Sequence, residues 1–218
     1  MAILKNSAQE LRKAFSKEVE PLIAKYGFKK TIQGYRREYK DGVYGFITFL
    51  GSSGGVYNSI CFNMYVGLAQ KNVSRLVNEL MGLTKTAAPF CIGWQGVNEI
   101  IQDAKFKDYE WRAETPKDIT AFMPNISHIV LNNVLPFFED NCCMPMYKYN
   151  IYSGRCAGLS WKDRIIPVLL YLDGDKEKGN DYIQRRIKES SNSAYQDNID
   201  KIFIKNYISL PNPRISAV

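Results

Sequence analysis

The chain has 218 residues, of which 45% are hydrophobic and 23% are charged. This composition excludes an intrinsically disordered chain, a collagen, a small disulfide-rich domain and a simple coiled coil. Residues 1–40 hold ten basic and four acidic side chains, so this segment carries +6 of the net charge of +7. Such a concentration of positive charge attracts phosphates, anionic lipids or an acidic protein surface.

The first predicted helix begins at a capping box, Ser7-x-x-Glu10. Apolar residues then recur every three to four positions from Leu11 onward. Gly27 is expected to end the helix in a Schellman motif. Because Pro21 removes one internal hydrogen bond, we expect a kink or two helical pieces.

The next segment predicts an antiparallel sheet. The runs Gly34–Tyr39 and Val43–Leu50 flank Lys40–Gly42, and an Asp-Gly pair between two such runs is a hairpin signal. The run Ser59–Gly67 alternates apolar and polar residues, which is typical of a strand with one covered face. The other elements expected here are a short helix at about Val73–Met81 and strands at Phe90–Trp94 and Tyr109–Ala113.

A long helix is predicted to begin at Thr115, with Pro116 at its first position and Asp118 in its first turn. Pro124 and Pro136 are expected to bend this helix. The order helix, strands, helix lacks a βαβ rhythm. We therefore predict an α+β fold, in which an antiparallel meander sheet is covered on one face by two helices and followed by a helical C-terminal extension.

The C-terminal part is predicted to be irregular over residues 141–160 and helical beyond. The expected elements are helices at Ser160–Leu172, Asp181–Glu189 and Tyr195–Ile208, with a turn at 173–180. We predict a core domain at residues 1–140 and a helical extension at 141–218 that packs on it, or one continuous domain. The extension is expected to pack on the core because about 70 residues form only a marginal core alone.

Four motifs stand out in the first 140 residues: Lys25-Tyr-Gly-Phe-Lys-Lys30, Tyr35-Arg-Arg37, Trp111 and Val134-Leu-Pro-Phe-Phe138. Over about residues 8–140 they resemble a bacterial family of domains of unknown function, the one catalogued under four-three-zero-four. The family has a GFKK-like turn, an aromatic-basic strand and an "lQkS"-like strand, and Phe49–Ser52 departs from the last of these. The resemblance implies an intracellular bacterial α+β protein and assigns no activity to any residue.

Residue types used in catalysis and metal binding are sparse. His128 is the one histidine of the chain, and its place in an apolar stretch favours a partly buried structural role. Cys142, Cys143 and Cys156 lack the Cys-x-x-Cys spacing of zinc sites. We therefore predict no catalytic residue, no metal and no cofactor.

The sequence predicts a cytoplasmic protein without a membrane segment. The best apolar run, Ile165–Leu172, has eight residues, whereas a membrane-spanning helix needs about 20. The segment Met1–Ser7 is too short and polar for a signal sequence. The odd number of five cysteines fits a compartment in which thiols stay reduced.

Two sets of residues are candidate binding residues. Tyrosines alternate with basic residues in the first hairpin, and both types are enriched at protein interfaces. They could also stack bases, or simply form cross-strand packing pairs. The hairpin set is Tyr35, Arg36, Arg37, Tyr39, Lys40 and Tyr44. The basic set, whose alternative is a merely solvated face, is Arg12, Lys13, Lys17, Lys25, Lys29 and Lys30.

These features favour a non-enzymatic protein that binds another macromolecule, such as an immunity-type protein that blocks a toxin through an acidic face of that partner. The first alternative is a nucleic-acid-binding protein that uses residues 12–40. The second is an enzyme whose carboxylates meet only in the fold, or which uses Cys142 or Cys143. The oligomeric state stays open.

Overall fold

A computed structural model describes residues 7–32, 34–54, 59–83, 93–107, 111–113, 115–155, 162–189 and 198–213. The strands in these ranges are β1 (Lys29–Thr31), β2 (Gly34–Glu38), β3 (Val43–Gly54), β4 (Ser59–Gln70), β5 (Gly93–Gly96) and β6 (Trp111–Ala113). The helices are α1 (Ser7–Glu18), α2 (Glu20–Ala24), α3 (Lys71–Leu80), α4 (Ala104–Lys107), α5 (Pro116–Ile129), α6 (Leu135–Asn141), α7 (Met144–Tyr152), α8 (Lys162–Leu172), α9 (Lys176–Glu189) and α10 (Asn198–Ile208).

The predicted α+β fold is confirmed. The strand order is β1-β2-β3-β4-β5, and β6 pairs with β4. The β1–β2 pair is antiparallel, with Lys30 opposite Tyr35. The predicted hairpin turn forms at Lys40–Gly42, where Asp41 has φ +60° and Gly42 has φ +66°. Positive φ at both central residues is what a tight hairpin turn requires.

The first helix is divided, as predicted, into two pieces, α1 and α2. The break falls at Val19, and Pro21 lies in the first turn of α2. Its C-terminal end is also confirmed. Gly27 has φ +82° and donates its N–H to the Ala24 carbonyl at 2.9 Å. The Phe28 N–H reaches the Ile23 carbonyl at 3.3 Å, which completes the Schellman motif. The predicted cap at Ser7 lies outside the side chains that the structure describes.

One compact unit comprises Met1–Tyr39, Gly45–Gly67 and Gln95–Cys142. Here Phe15 of α1 packs against the strands, with its ring centroid 4.3 Å from that of Phe49. A Cβ at Gly45 would lie 2.8 Å from the Phe138 ring of α6. Glycine in β3 therefore lets this helix approach the strand closely.

The long helix begins at the predicted capping box. The Thr115 N–H donates to Asp118 Oδ2 at 2.7 Å, and the Asp118 N–H donates to Thr115 Oγ1 at 3.4 Å. A π-helical turn at Val130–Val134 joins α5 to α6, and the Leu135 N–H donates to the Val130 carbonyl. The wide turn directly precedes Pro136, whose ring would collide with a carbonyl in a regular α-helix.

His128 is exposed, so the prediction that it is partly buried was wrong. Ile126 and Ile129 face the core at 1% and 0% exposure. His128 lies two residues after Ile126, about 200° around the helix, and therefore points outward. Its ring contacts Phe106 at a centroid distance of 5.4 Å.

The second unit comprises Lys40–Tyr44, Leu68–Trp94 and Cys143–Val218. In it α8 packs against α3, α7 and α9, and α10 packs against α3. The buried Tyr207 hydroxyl donates to the Pro167 carbonyl at 2.9 Å. A Cβ at Gly179 would lie 1.8 Å from this hydroxyl oxygen, so α9 needs glycine there. The predicted domain boundary after residue 140 stays a prediction.

Two predictions for the C-terminal part were wrong. Residues 141–160 include the helix α7, in which Pro145 occupies the first turn, where no N–H is needed. Its inward face mixes Tyr147 and Ile151 with the polar Asn150, which hides the apolar repeat. The turn expected at 173–180 is shorter, because Asp175 Oδ1 accepts the Lys178 N–H and α9 begins at Lys176.

Four predicted features lie wholly or partly outside the described residues: the first parts of the strands Phe90–Trp94 and Tyr109–Ala113, the cap at Ser160 and the beginning of the helix Tyr195–Ile208. Within the described ranges, no helix has both the length and the apolar content to cross a membrane.

Candidate functional site

The structure removes two tyrosines from the predicted hairpin surface. Tyr35 and Tyr44 are each only 5% exposed, so neither side chain can contribute a large area to a partner. The Tyr35 ring lies 5.1 Å from that of Phe15, and its hydroxyl donates to Glu20 Oε2 at 2.9 Å. Burial raises the pKa of Tyr35 to about 12. Tyr35 therefore belongs to the core of the first unit.

Two further members of the hairpin set are engaged within the same unit. Arg37 Nη1 lies 2.5 Å from Glu139 Oε1, and its guanidinium stands 4.1 Å from the Tyr39 ring centroid. Burial raises the pKa of the half-buried Tyr39. Arg36 is half-buried and Lys40 is exposed. Of the hairpin set, Tyr35 and Tyr44 are therefore buried, whereas Arg36, Arg37, Tyr39 and Lys40 remain partly or fully exposed, and their role in binding stays a prediction.

All six residues of the basic set are exposed, and all lie in the first unit. Three of them contact carboxylates, in the pairs Lys13–Glu10 at 2.9 Å, Lys17–Glu18 at 3.5 Å and Lys30–Glu20 at 3.4 Å. Exposed pairs such as the first two contribute only about 0–1 kcal/mol, so they are easily exchanged for a partner's charge. The others are Arg12, Lys25 and Lys29, none of which pairs with a carboxylate in the described ranges.

The β1–β2 turn adds an apolar side chain that sequence reasoning missed. Thr31 pairs with Gly34, so the turn contains two residues, of which Ile32 is 100% exposed. Gly34 has φ +143°, and a Cβ there would lie 2.1 Å from the Ile47 carbonyl oxygen. This close approach of the backbone to β3 holds the turn in place. A single isoleucine in a short polar segment belongs to no repeating pattern, so the sequence alone does not predict that its side chain is exposed.

A cavity of about 260 Å³ lies between α1 and this turn. Its apolar lining includes Leu11, Phe15 and Ile32, and its basic lining consists of Arg12 and Lys30. We call Arg12, Lys30, Ile32 and this cavity the α1–hairpin surface; the other four residues of the basic set lie on α1, at the C-cap of α2 and on β1 of the same unit. It combines exposed positive charge with an apolar contact point.

A polar network holds Lys30 at the edge of the cavity. Lys30 Nζ donates to Ser16 Oγ at 2.8 Å and lies 3.4 Å from Glu20 Oε2. Burial acts to raise the pKa of Glu20, but hydrogen bonds from Ser16, Tyr35 and Lys30 together hold it below its ordinary value of 4.5. Glu20 is therefore ionised at neutral pH and orients Lys30.

Among the residues that the structure describes, no group of three His, Cys, Asp or Glu side chains is placed to hold a metal ion. Cys142 is buried and Cys143 is half-buried, and neither of these two described cysteines forms a disulfide. The prediction of a chain without catalytic residues or cofactors stays a prediction.

Comparisons of the chain with family models, with curated proteins and with solved structures found no match. The resemblance to the family of unknown function therefore stays a prediction. The chemistry of the α1–hairpin surface is the basis for a functional assignment.

Proposed function

We propose that the chain is a non-enzymatic cytoplasmic protein that binds an acidic face of another protein through the α1–hairpin surface. Full exposure of Ile32 beside Arg12 and Lys30 is the observation that carries this proposal. An immunity-type role, in which the bound protein is a toxin, is its most specific form.

Ile32 supplies the contact that distinguishes a protein partner from a simple polyanion. Burying an isoleucine side chain that is otherwise exposed is worth about 1.5–3 kcal/mol. Because Ile32 is fully exposed, it contributes none of this to the fold of its own chain. A partner that covers Ile32 and inserts a side chain into the adjacent cavity gains this energy on binding.

The basic side chains supply attraction and orientation. Arg12, Lys25 and Lys29 are without carboxylate partners in the described ranges, so an acidic partner meets charges that are not already neutralised. Complementary charge of this kind mainly accelerates association and suppresses wrong partners. Mutations of these cations should therefore act on the association rate, whereas those of Ile32 should act on the dissociation rate.

A photocrosslink from position 32 tests this proposal. Ile32 is replaced by the photoreactive p-benzoyl-phenylalanine, and the tagged protein is irradiated in lysate of its native host. The same replacement at Tyr149, which is 50% exposed in the second unit, is the matched control. We expect one protein to be captured from position 32 and absent from position 149. Capture of the same proteins from both positions would contradict the proposal.

Charge variants then test the purified complex. We expect Arg12→Gln with Lys30→Gln to weaken binding about tenfold, and Ile32→Ser to weaken it by a similar factor. Lys188→Gln with Lys201→Gln removes two exposed positive charges elsewhere and should leave the affinity unchanged. Equal losses in both double variants would show that only the net charge matters.

Nucleic acid is the second candidate partner, because three exposed cations of the basic set lack a carboxylate in the described ranges. In that case log K should fall linearly with log salt, with a slope of about −0.7 to −0.9 per phosphate contacted. The Ile32→Ser variant should then bind as the unchanged chain does. Crosslinking of RNA or DNA from position 32 would favour this candidate over a protein.

A further inference from the structure

The second unit contains a larger cavity, of about 670 Å³, beside α8 and α9. This volume falls within the range of about 300–1,000 Å³ that is typical of small-molecule sites. Ile166, which is 4% exposed, and Leu170 form an apolar part of its wall, and Tyr152 adds an aromatic ring. The cavity therefore offers a surface for the apolar body of a ligand.

A charged cluster builds one wall of the cavity. Asp163 Oδ1 lies 2.9 Å from Arg186 Nε, and its Oδ2 accepts from Arg186 Nη2 at 3.0 Å. The Tyr182 hydroxyl donates to Asp163 Oδ1 at 2.6 Å, and Arg186 Nη1 donates to Glu189 Oε2 at 2.8 Å. Because these groups form hydrogen bonds and ion pairs with one another, the wall is preorganised and its carboxylates are already neutralised.

Two other cations line the same cavity without such neutralisation. Lys162 is half-buried at the start of α8. Its Nζ lies close to Gly154, 3.5 Å from where a Cβ would stand if that residue had a side chain. The Arg185 guanidinium stands 5.5 Å from the Tyr182 ring centroid. Neither Lys162 nor Arg185 pairs with a carboxylate in the described part of the chain. With Arg186, the lining has three cations against two carboxylates.

We propose that this cavity binds a small organic anion, with Lys162 and Arg185 holding its carboxylate, sulfonate or phosphate group and Ile166, Leu170 and Tyr152 contacting its apolar body. The site is independent of the α1–hairpin surface and of the partner proposed for it. Charge-assisted hydrogen bonds from lysine and arginine are the stronger kind, so the anionic group should dominate the affinity.

Tyr152 adds a hydrogen-bond donor to the cavity. Burial, and then the nearby charge of Asp173, raise the pKa of Tyr152. Its hydroxyl therefore remains protonated over a wider range of pH, and it can donate to an anion. A deprotonated hydroxyl would repel the same ligand.

A pair of matched fluorescent probes tests the site. Anilinonaphthalene sulfonate carries an anionic group on an aromatic body, and N-phenylnaphthylamine has the same body without the charge. We expect the intact chain to bind the sulfonate at least about tenfold more tightly than the neutral probe. Equal affinities for the two probes would overturn the proposal, and this comparison needs no variant.

Variants locate the bound sulfonate. Lys162→Met with Arg185→Gln should weaken its binding about tenfold or more and leave the neutral probe unaffected. Arg12→Gln with Lys30→Gln, at the cavity of the first unit, and Lys188→Gln with Lys201→Gln are controls of equal charge and should bind as the intact chain does. A loss of affinity confined to the Arg12 and Lys30 variant, or shared equally by all three, would overturn the assignment.

Discussion

In the cavity beside α1, Arg12 and Lys30 line an opening next to a fully exposed isoleucine, whereas in the α8–α9 cavity Arg186 is held within the wall by Asp163. The first arrangement leaves charge and apolar surface directed outward, as a site for a macromolecular partner requires. The second uses part of its charge to build one wall, and Lys162 and Arg185 form no carboxylate pair in the described part of the chain. Similar residue types therefore form two different candidate sites.

The two regions also differ in how clearly the net charge of their sequence segments indicates a binding site. Residues 1–40 carry a balance of +6, so the basic set stands out in the sequence alone. Residues 162–189 contain seven basic and six acidic side chains, so their net charge of +1 gives no such signal. A binding site made of mixed charges is visible only when the fold brings particular residues together.

The largest expected effect is that of Gly34→Ala, which should destabilise the turn that carries Ile32. A Cβ there meets the Ile47 carbonyl oxygen at 2.1 Å, and the φ of +143° is strained for alanine. We expect a loss of about 3–5 kcal/mol in the free energy of unfolding, measured by urea denaturation. Gly174→Ala has φ +90° with nothing within 4 Å, and should cost only about 1–2 kcal/mol. Equal losses of unfolding free energy in the two variants would contradict the argument that the Cβ at position 34 clashes with the Ile47 carbonyl.

The next effect is that of Asp163→Asn, which should destabilise the charged wall of the α8–α9 cavity. The Asp163 side chain is 12% exposed, and it binds both Arg186 and Tyr182. Because the Arg186 side chain is 36% exposed and solvent screens it, we expect a loss of about 1–3 kcal/mol, smaller than for a fully buried pair.

Asp175→Asn is the matched control, because asparagine can still accept the Lys178 N–H at the start of α9 and only the ion pair with the exposed Lys178 side chain is lost. Its melting temperature should stay within error of that of the unchanged chain. If Asp163→Asn also left the melting temperature unchanged in calorimetry, the wall would not be the rigid element that the ligand site needs.

A smaller effect on stability is expected from Glu20, and this effect depends on pH. Because the pKa of Glu20 is held below 4.5, its ionised form adds stability above that pH, and this contribution is lost as the pH falls through the lowered value. The intact chain should therefore melt at a higher temperature than Glu20→Gln at pH 7, and the difference should shrink as the pH is lowered below 4.5. A difference that does not change with pH would show that packing, and not charge, is responsible.

The smallest effect on stability is expected for Ile32→Ser. Since the side chain is fully exposed, the free energy of unfolding should change by less than about 0.5 kcal/mol. Partner binding should nevertheless weaken, so stability and affinity would respond differently at one position. A drop in melting temperature with unchanged binding would assign Ile32 to the fold.

Local signals in the sequence predicted much of the fold. Thr115 with Asp118, Gly27, and the turn at Asp41 and Gly42 are recognisable because each depends on residues only a few positions apart. The α+β class followed from the order of these elements.

The candidate sites could be predicted only in part. Exposed lysines and arginines of the basic set follow from composition, but the burial of Tyr35 depends on its contacts with Phe15 and Glu20 on other elements. Asp163 and Arg186 are separated by 23 residues, and no periodic pattern links them. Packing brings residues that are far apart in the sequence into contact, and the pattern of neighbouring residues does not predict such contacts.

The π-helical turn at Val130–Val134 has a consequence for insertions and deletions. One extra residue is accommodated there, so every position beyond it is offset by about 100° from a regular helical wheel that begins in α5. Loss of the exposed Asn132 would convert the turn to a regular helix, in which the ring of Pro136 collides with the carbonyl four residues before it. The chain beyond the turn would then have to shift, which would move Phe138 away from Gly45. The extra residue of this turn is therefore what lets one long helix contain Pro136 and still hold Phe138 against β3.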